Sequence, residues 1–281
     1  SINCKGKLID LSSPKVMGIL NITPDSFFDG GKFNNQSSII SHVEKMLSEG
    51  ATFIDIGAYS SRPGAKHISE EEELYRLLPV VELLLNEFPQ ILISVDTFRS
   101  NVAKQCIQKG ACIVNDISAG NMDPKMFETV AKLQVPYILM HMQGTPQNMQ
   151  ANPTYTNILK DILYYFSQKI EELRTLGVND IIADVGFGFG KTLEHNYALL
   201  SNLALFKNLE IPLLVGLSRK SMLYKPLNNT SNEALNATTT ANTIALLNGA
   251  SILRVHDVKE AVEAVKIVEL TNKHSWKNIF F

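Results

Sequence analysis

Several short apolar runs in this 281-residue chain end on a side chain able to do chemistry. Ile91-Leu92-Ile93-Ser94-Val95 ends at Asp96, Cys112-Ile113-Val114 at Asn115-Asp116, and Ile181-Ile182-Ala183 at Asp184. A planar 2-amino-4-oxo ring, as in guanine or pterin, presents an amide N–H and an exocyclic amine side by side. One carboxylate can accept from both, and Asp and Asn at neighbouring strand ends can read the remaining edge. Asp96, Asn115 and Asp184 suit that task. Carboxylates at strand ends also cap following helices, and Asp96 before Thr97 fits that role by itself. Capping is a poorer account of three such groups on three separate runs.

Other runs carry groups suited to an anion. Val16-Met17-Gly18-Ile19-Leu20 ends at Asn21, and the segment beyond it holds Asp25 and Asp29. Their oxygens are hard ligands of the kind Mg²⁺ takes alongside phosphates and water; Thr23-Pro24-Asp25-Ser26 is equally good turn chemistry. Tyr59-Ser60-Ser61-Arg62 offers hydroxyls and a guanidinium. Arg254 and His256 alternate along one strand end, so both can face one side and, with Asn21 and Arg62, surround a diphosphate. Gly186-Phe187-Gly188-Phe189-Gly190-Lys191 alternates residues that permit close backbone approach with aromatics able to wall a flat ligand. It lacks the Lys-Ser/Thr context of a nucleotide loop. His141 reads as structural.

The runs predict eight strands at roughly 16–20, 52–57, 91–95, 112–115, 136–140, 181–184, 212–216 and 251–254, buried on both faces. Helical periodicity follows most of them. Leu74, Leu77, Leu78, Val81 and Leu85 line one such face, Glu70 to Glu73 occupy its first turn, and Pro79 predicts a kink or break. Val258, Val262, Val265 and Val268 mark a last helix. Asp123-Pro124 has the form of an N-cap with proline at the first helical position. Gly50, Gly110, Gly177 and Gly249 fall where helix C-termini need a left-handed residue. Strands alternating with helices predict a parallel sheet. No glycine-rich phosphate loop follows the first strand, which favours an α/β fold of the (β/α)8 TIM-barrel type over a doubly wound sheet. Residues 1–13 read as a short strand pair plugging the barrel bottom, and 141–153 as a loop. The expectation is a single domain over 1–281, with its barrel core at about 14–270.

Composition sets outer bounds. The chain is 45% hydrophobic and 19% charged with a net charge of -2, as in ordinary soluble proteins, which gives no reason to expect a nucleic-acid or membrane surface. Cys4, Cys106 and Cys112 have no metal-ligand spacing and read as reduced thiols. With no apolar signal segment near the start and no membrane-length apolar run, the expected location is cytoplasmic.

Taken together and in order, the motifs closely resemble the dihydropteroate synthase family of pterin-binding barrels. The resemblance spans roughly Val16 to Val268. It rests on Met17 to Phe27 with Asp29-Gly30-Gly31, Ser61-Arg62-Pro63-Gly64-Ala65, Ser94-Val95-Asp96-Thr97, Asn115-Asp116, Gly186 to Lys191, Gly216-Leu217-Ser218-Arg219-Lys220-Ser221, and Arg254-Val255-His256-Asp257. It implies condensation of 6-hydroxymethyl-7,8-dihydropterin diphosphate with 4-aminobenzoate. It places pterin against Asp96, Asn115, Met140, Asp184, Phe189, Lys220 and Arg254, and diphosphate near Asn21, Ser61, Arg62, Arg254 and His256, with Mg²⁺ at Asn21. Aminobenzoate, and sulfonamides in its place, would lie near Phe27, Pro63, Phe189 and Ser221. Asp96, Asp184, Lys220 and Asp29 become the catalytic candidates for a dissociative substitution, and a homodimer is implied. Ala58-Tyr59-Ser60-Ser61 departs from a common Gly-Glu-Ser-Thr, and Val185 from a frequent proline. A corrinoid methyltransferase on the same barrel would need no diphosphate site. A non-catalytic pterin binder would tolerate loss of Asn21, Asp96, Lys220 or Arg254, all of which are present.

Overall fold

The computed structural model describes residues 1–22, 32–59, 67–146, 148, 149 and 153–274, with side chains from 36 onward in the second stretch. Two short antiparallel strands open the chain, β1 (Ile2–Cys4) and β2 (Lys7–Ile9), paired Ile2 to Ile9. Their two-residue turn, Lys5-Gly6, has φ of 54° and 80°, the left-handed geometry that matches the twist of a tight hairpin. Eight parallel strands follow: β3 (Lys15–Asn21), β4 (Phe53–Gly57), β5 (Ile93–Asp96), β6 (Ile113–Asp116), β7 (Tyr137–Met140), β8 (Ile181–Asp184), β9 (Leu213–Val215) and β10 (Ile252–Val255). They pair in chain order and close into a barrel through β10 and β3. All eight expected strands are present, with ends shifted by at most two residues.

Strand side chains alternate between two environments. Ile54, Ile56, Val95, Val114, Leu139, Ala183 and Val255 point outward and pack with the surrounding helices. Inward, near the strand starts, Met17, Phe53, Ile113, Ile138, Ile182, Leu214 and Ile252 form one apolar plug with Ile2, Cys4, Ile9 and Leu11. The expected strand pair at the barrel bottom is therefore there, and it seals the interior with side chains from β1 and β2.

Of the expected kink or break at Pro79 there is no break: the helix Glu70–Glu87 is continuous through it. Pro79 lies on the exposed side of the helix, where the loss of its N–H is least costly. Ser69 caps this helix by accepting from Glu72 N–H at 3.2 Å. Glu73 serves more than the helix dipole: it is fully buried and ion-paired to Arg99. The expected cap at Asp123 is also corrected. The helix begins at Met126 with Lys125 as its flanking residue. The Asp123 carboxylate instead accepts from Lys125 N–H (3.0 Å) and from Ser100 N–H (2.7 Å), the latter in the first turn of the helix Ser100–Lys109. Gly50, Gly110, Gly177 and Gly249 have φ of 105°, 117°, 84° and 102°, as the helix ends require. Among the described residues no helix is long and apolar enough to cross a membrane.

Candidate active site

Two residues beyond the apolar plug, the same inward faces become polar. Phe53 is followed by Asp55, Ile113 by Asn115, Ile182 by Asp184 and Ile252 by Arg254, while β5 contributes Ser94 and then Asp96. The period of two that buries the plug therefore also delivers the charged groups to the barrel mouth at the strand C-termini.

Arg254 ties this layer together. Its Nε donates to Asp55 Oδ2 (2.6 Å) and its Nη2 to Asp96 Oδ2 (2.8 Å), while Asn115 Nδ2 donates to Asp55 Oδ2 (3.1 Å). Burial pushes the Asp96 carboxyl up to about 7, opposed by Arg254 and reinforced by the charges of Asp55, Glu73 and Asp116. Asp184 is pushed up by burial as well, with Lys220 opposing, and its Oδ1 accepts from Gly186 N–H at 2.8 Å. Burial lowers Lys220 to about 8 against the pull of Asp184. Lys220 Nζ donates to the Phe187 carbonyl and sits 5.0 Å from the Phe189 ring centroid, a cation–π distance. Among the described residues the mouth thus gathers three carboxylates, one guanidinium and one ammonium, poorly solvated and mutually opposed. Helix capping does not account for Asp96 or Asn115, whose side chains bond across the barrel.

An apolar wall adjoins these groups. Met140 and Phe189 belong to one cluster with Phe98, Ile117, Met142 and Tyr59. Tyr59, one of the departures from the family pattern, meets Phe98 edge-on at 5.0 Å, with its Oη 3.2 Å from His67 Nδ1. The glycine-aromatic segment packs tightly: Gly186 has φ +71° and a Cβ there would lie 2.0 Å from the His141 carbonyl. Buried Lys191 holds the segment in place through His141 O (3.2 Å), His141 Nδ1 (3.0 Å) and Phe189 O (2.9 Å). Burial and Lys191 together push His141 down to about 2. His141 is a neutral structural acceptor, as its sequence context indicated.

The anion-binding candidates are more dispersed. Asn21 is exposed at the end of β3. His256 is exposed, and its Nδ1 lies 2.9 Å from Ser218 Oγ, which also accepts from the His256 backbone N–H at 3.1 Å. Ser221 is exposed at the start of the short helix Ser221–Tyr224. Arg254 joins the carboxylates Asp55 and Asp96 instead. Phe27, Asp29, Ser61, Arg62 and Pro63 lie outside the described residues. Among the described residues no group of three or more His, Cys, Asp or Glu side chains is placed to hold a metal.

Sequence reasoning passed over Asp55. Its signal was a carboxylate at the centre of a five-residue buried strand, Phe53-Ile54-Asp55-Ile56-Gly57, in phase with the inward face. Asp116, beside Asn115, faces the opposite way and accepts from Tyr137 Oη (2.7 Å), Ser118 N–H (2.7 Å) and Gly120 N–H (2.8 Å), holding the following turn.

The chain matches the model of the pterin binding enzyme family over residues 17–256. It is 46% identical to the dihydropteroate synthase of Escherichia coli K12 over 269 residues, covering 95% of each chain. The Yersinia pestis dihydropteroate synthase structure with a sulfonamide drug superimposes with a TM-score of 0.90 at 47% identity, covering 97% of this chain and 99% of that one. The Xanthomonas albilineans enzyme with 4-aminobenzoic acid gives a TM-score of 0.90 at 34% identity, with 98% of each chain covered.

Proposed function

Since the chain belongs to the dihydropteroate synthases of the pterin-binding enzyme family, we propose that its barrel mouth is where the two substrates of that reaction meet. The reaction joins 6-hydroxymethyl-7,8-dihydropterin diphosphate and 4-aminobenzoate into 7,8-dihydropteroate and diphosphate. The observation carrying the reading is the set Asp96, Asn115, Asp184 and Lys220 gathered around Arg254 beside the Met140–Phe189 wall. Asp184 and Asp96 accept from the ring N–H groups, Asn115 reads the edge between them, and Lys220 donates to the opposite edge. Phe189 and Met140 cover the ring faces. The protein acts as a single barrel domain.

In the reaction the pterin methylene C–O bond breaks and a C–N bond to the aryl amine forms, with the amine proton passing to solvent. The amine lone pair is available at neutral pH, so leaving-group departure is the harder task. Asp96 and Asp184 favour the cation that the electron-rich dihydropterin delocalises onto its methylene carbon. Asp29 adds to that field, and Lys220 holds the ring while the charge develops. Arg62, Arg254, His256 and Ser61 take up the negative charge growing on diphosphate. The exposed Asn21 amide oxygen, a hard donor, would hold Mg²⁺, and the ion would supply positive charge for the departing diphosphate. Phe27, Pro63, Phe189 and Ser221 receive aminobenzoate, and a sulfonamide competes there.

A homodimer fits the exposed Ile244 and Leu247 on the helix Leu235–Leu247 and Ile267 and Leu270 on the neighbouring helix Val258–Lys273. Three buried free thiols fit the reducing cytoplasm. The test is diphosphate release from the purified substrates with and without Mg²⁺, with deuterium at the pterin methylene. Mg²⁺-dependent release with a secondary isotope effect clearly above unity is expected. Release with an effect near unity contradicts the dissociative step, and release indifferent to chelation contradicts the metal.

A further inference from the structure

Asp55 is fully buried (0% exposed) between β3 and β5. Its Oδ2 accepts from Arg254 Nε at 2.6 Å and from Asn115 Nδ2 at 3.1 Å. Among the described residues its Oδ1 has no partner, and neither has the buried Oγ of Ser94, its register neighbour on β5. A buried carboxylate costs several kcal/mol unless paired. Here it is paired through one oxygen, and both partners are residues assigned above to the pterin.

We propose that Asp55 is a positioning residue for the condensation, its carboxylate fixing the roll of the Asn115 amide and the direction of the Arg254 fork. The proposal rests on the pterin reading of the site. An Asn115 amide that gives one Nδ2–H to Asp55 keeps its other N–H and its Oδ1 for a ligand. An Arg254 guanidinium that gives Nε to Asp55 is left with Nη2 aimed at Asp96, 2.8 Å away. Asp55 thereby sets both the shape and the field of the pocket. The charges acting on Asp96 are Arg254 from β10 and Asp55 from β4 on the inward face, with Asp116 from β6 and Glu73 from the helix Glu70–Glu87 acting from the far side of the strands. With the Asp55 charge removed, Arg254 serves Asp96 alone, and the carboxylate form of Asp96 persists to lower pH.

The experiment is titration of 6-hydroxymethylpterin into the wild-type protein, Asp55→Asn and Asp55→Glu across pH 5–9, with thermal unfolding alongside. Asp55→Asn is expected to weaken pterin binding about tenfold and to move the acid limb of binding about one pH unit lower. Asp55→Glu keeps the charge but displaces it; it is expected to weaken binding with the acid limb left near the wild-type position. It also serves if Asp55→Asn does not fold. A merely structural Asp55 would lower the unfolding temperature and leave affinity and acid limb unmoved in both folded variants; that result overturns the proposal. Failure of the wild-type protein to bind the pterin overturns the site reading itself.

Discussion

The two halves of the barrel interior are built from the same strands and differ by a step of two residues. The lower half, Phe53, Ile113, Ile138, Ile182, Leu214 and Ile252 over the β1–β2 hairpin, has a single apolar character. The upper half, Asp55, Ser94, Asp96, Asn115, Asp184 and Arg254, holds charges in mutual tension, with Asp55 Oδ1 and Ser94 Oγ lacking partners among the described residues. The lower half is stable without a ligand. The upper half gains from one, because ring N–H groups would satisfy carboxylates that burial penalises. Stability and function are divided along the barrel axis, a few ångströms apart on each strand.

Breaking the comparison at its centre gives the largest effect. Arg254→Met leaves Asp55 and Asp96 facing each other without a counter-charge, and about 3–5 kcal/mol of stability should go, together with dihydropteroate formation. Urea unfolding and an activity assay read both. Phe53→Ala opens a cavity in the lower half at a cost of about 3–5 kcal/mol, but kcat/KM for the pterin substrate should hold well below the unfolding temperature.

The pH dependence sharpens the contrast. Asp96 titrates at about 7 in the folded protein, above the ordinary Asp value near 3.9. The folded state therefore retains a proton that the unfolded chain has shed. Asp96 thus supports stability at low pH, and that support is lost as pH rises through about 7. Pterin affinity runs the other way, because the carboxylate form accepts the ring N–H groups. The unliganded Tm should fall from pH 5 to 8 while pterin binding strengthens, and Asp96→Asn should flatten both trends. On the alkaline side, kcat/KM should decline as Lys220 loses its proton at about 8. The smallest effect belongs to the outer face of the hairpin. Leu8 is 73% exposed, and Leu8→Ser should alter the unfolding free energy by about 0.5 kcal/mol or less.

The fold was legible because buried parallel strands leave continuous apolar runs and their ends carry polar punctuation. Asp96, Asn115 and Asp184 stood at those ends and could be found. Asp55 lay inside a run, where a carboxylate looks like an interruption; only the register of β4 against β5 and the reach of Arg254 reveal its place. Asp123, and a break at Pro79, were misread for a different reason. A proline is tolerated in a helix when its side of the turn faces water, and a short carboxylate caps whichever amides are nearest, here including one from a neighbouring helix. Such choices are tertiary and leave no local trace. Arg254 was assigned to diphosphate on its alternation with His256 and to pterin by the resemblance; its guanidinium lies between Asp55 and Asp96, and His256 Nδ1 lies 2.9 Å from Ser218 Oγ.

The division of the barrel is tested most directly by titrating 6-hydroxymethylpterin into Asp184→Asn and Phe53→Leu while following thermal unfolding of each. Asp184→Asn should weaken binding about a hundredfold, the loss of charge-assisted acceptance from two donors, with little change in Tm. Phe53→Leu should lower Tm and leave affinity at the wild-type value. Parallel losses of affinity and Tm in both variants would contradict the account.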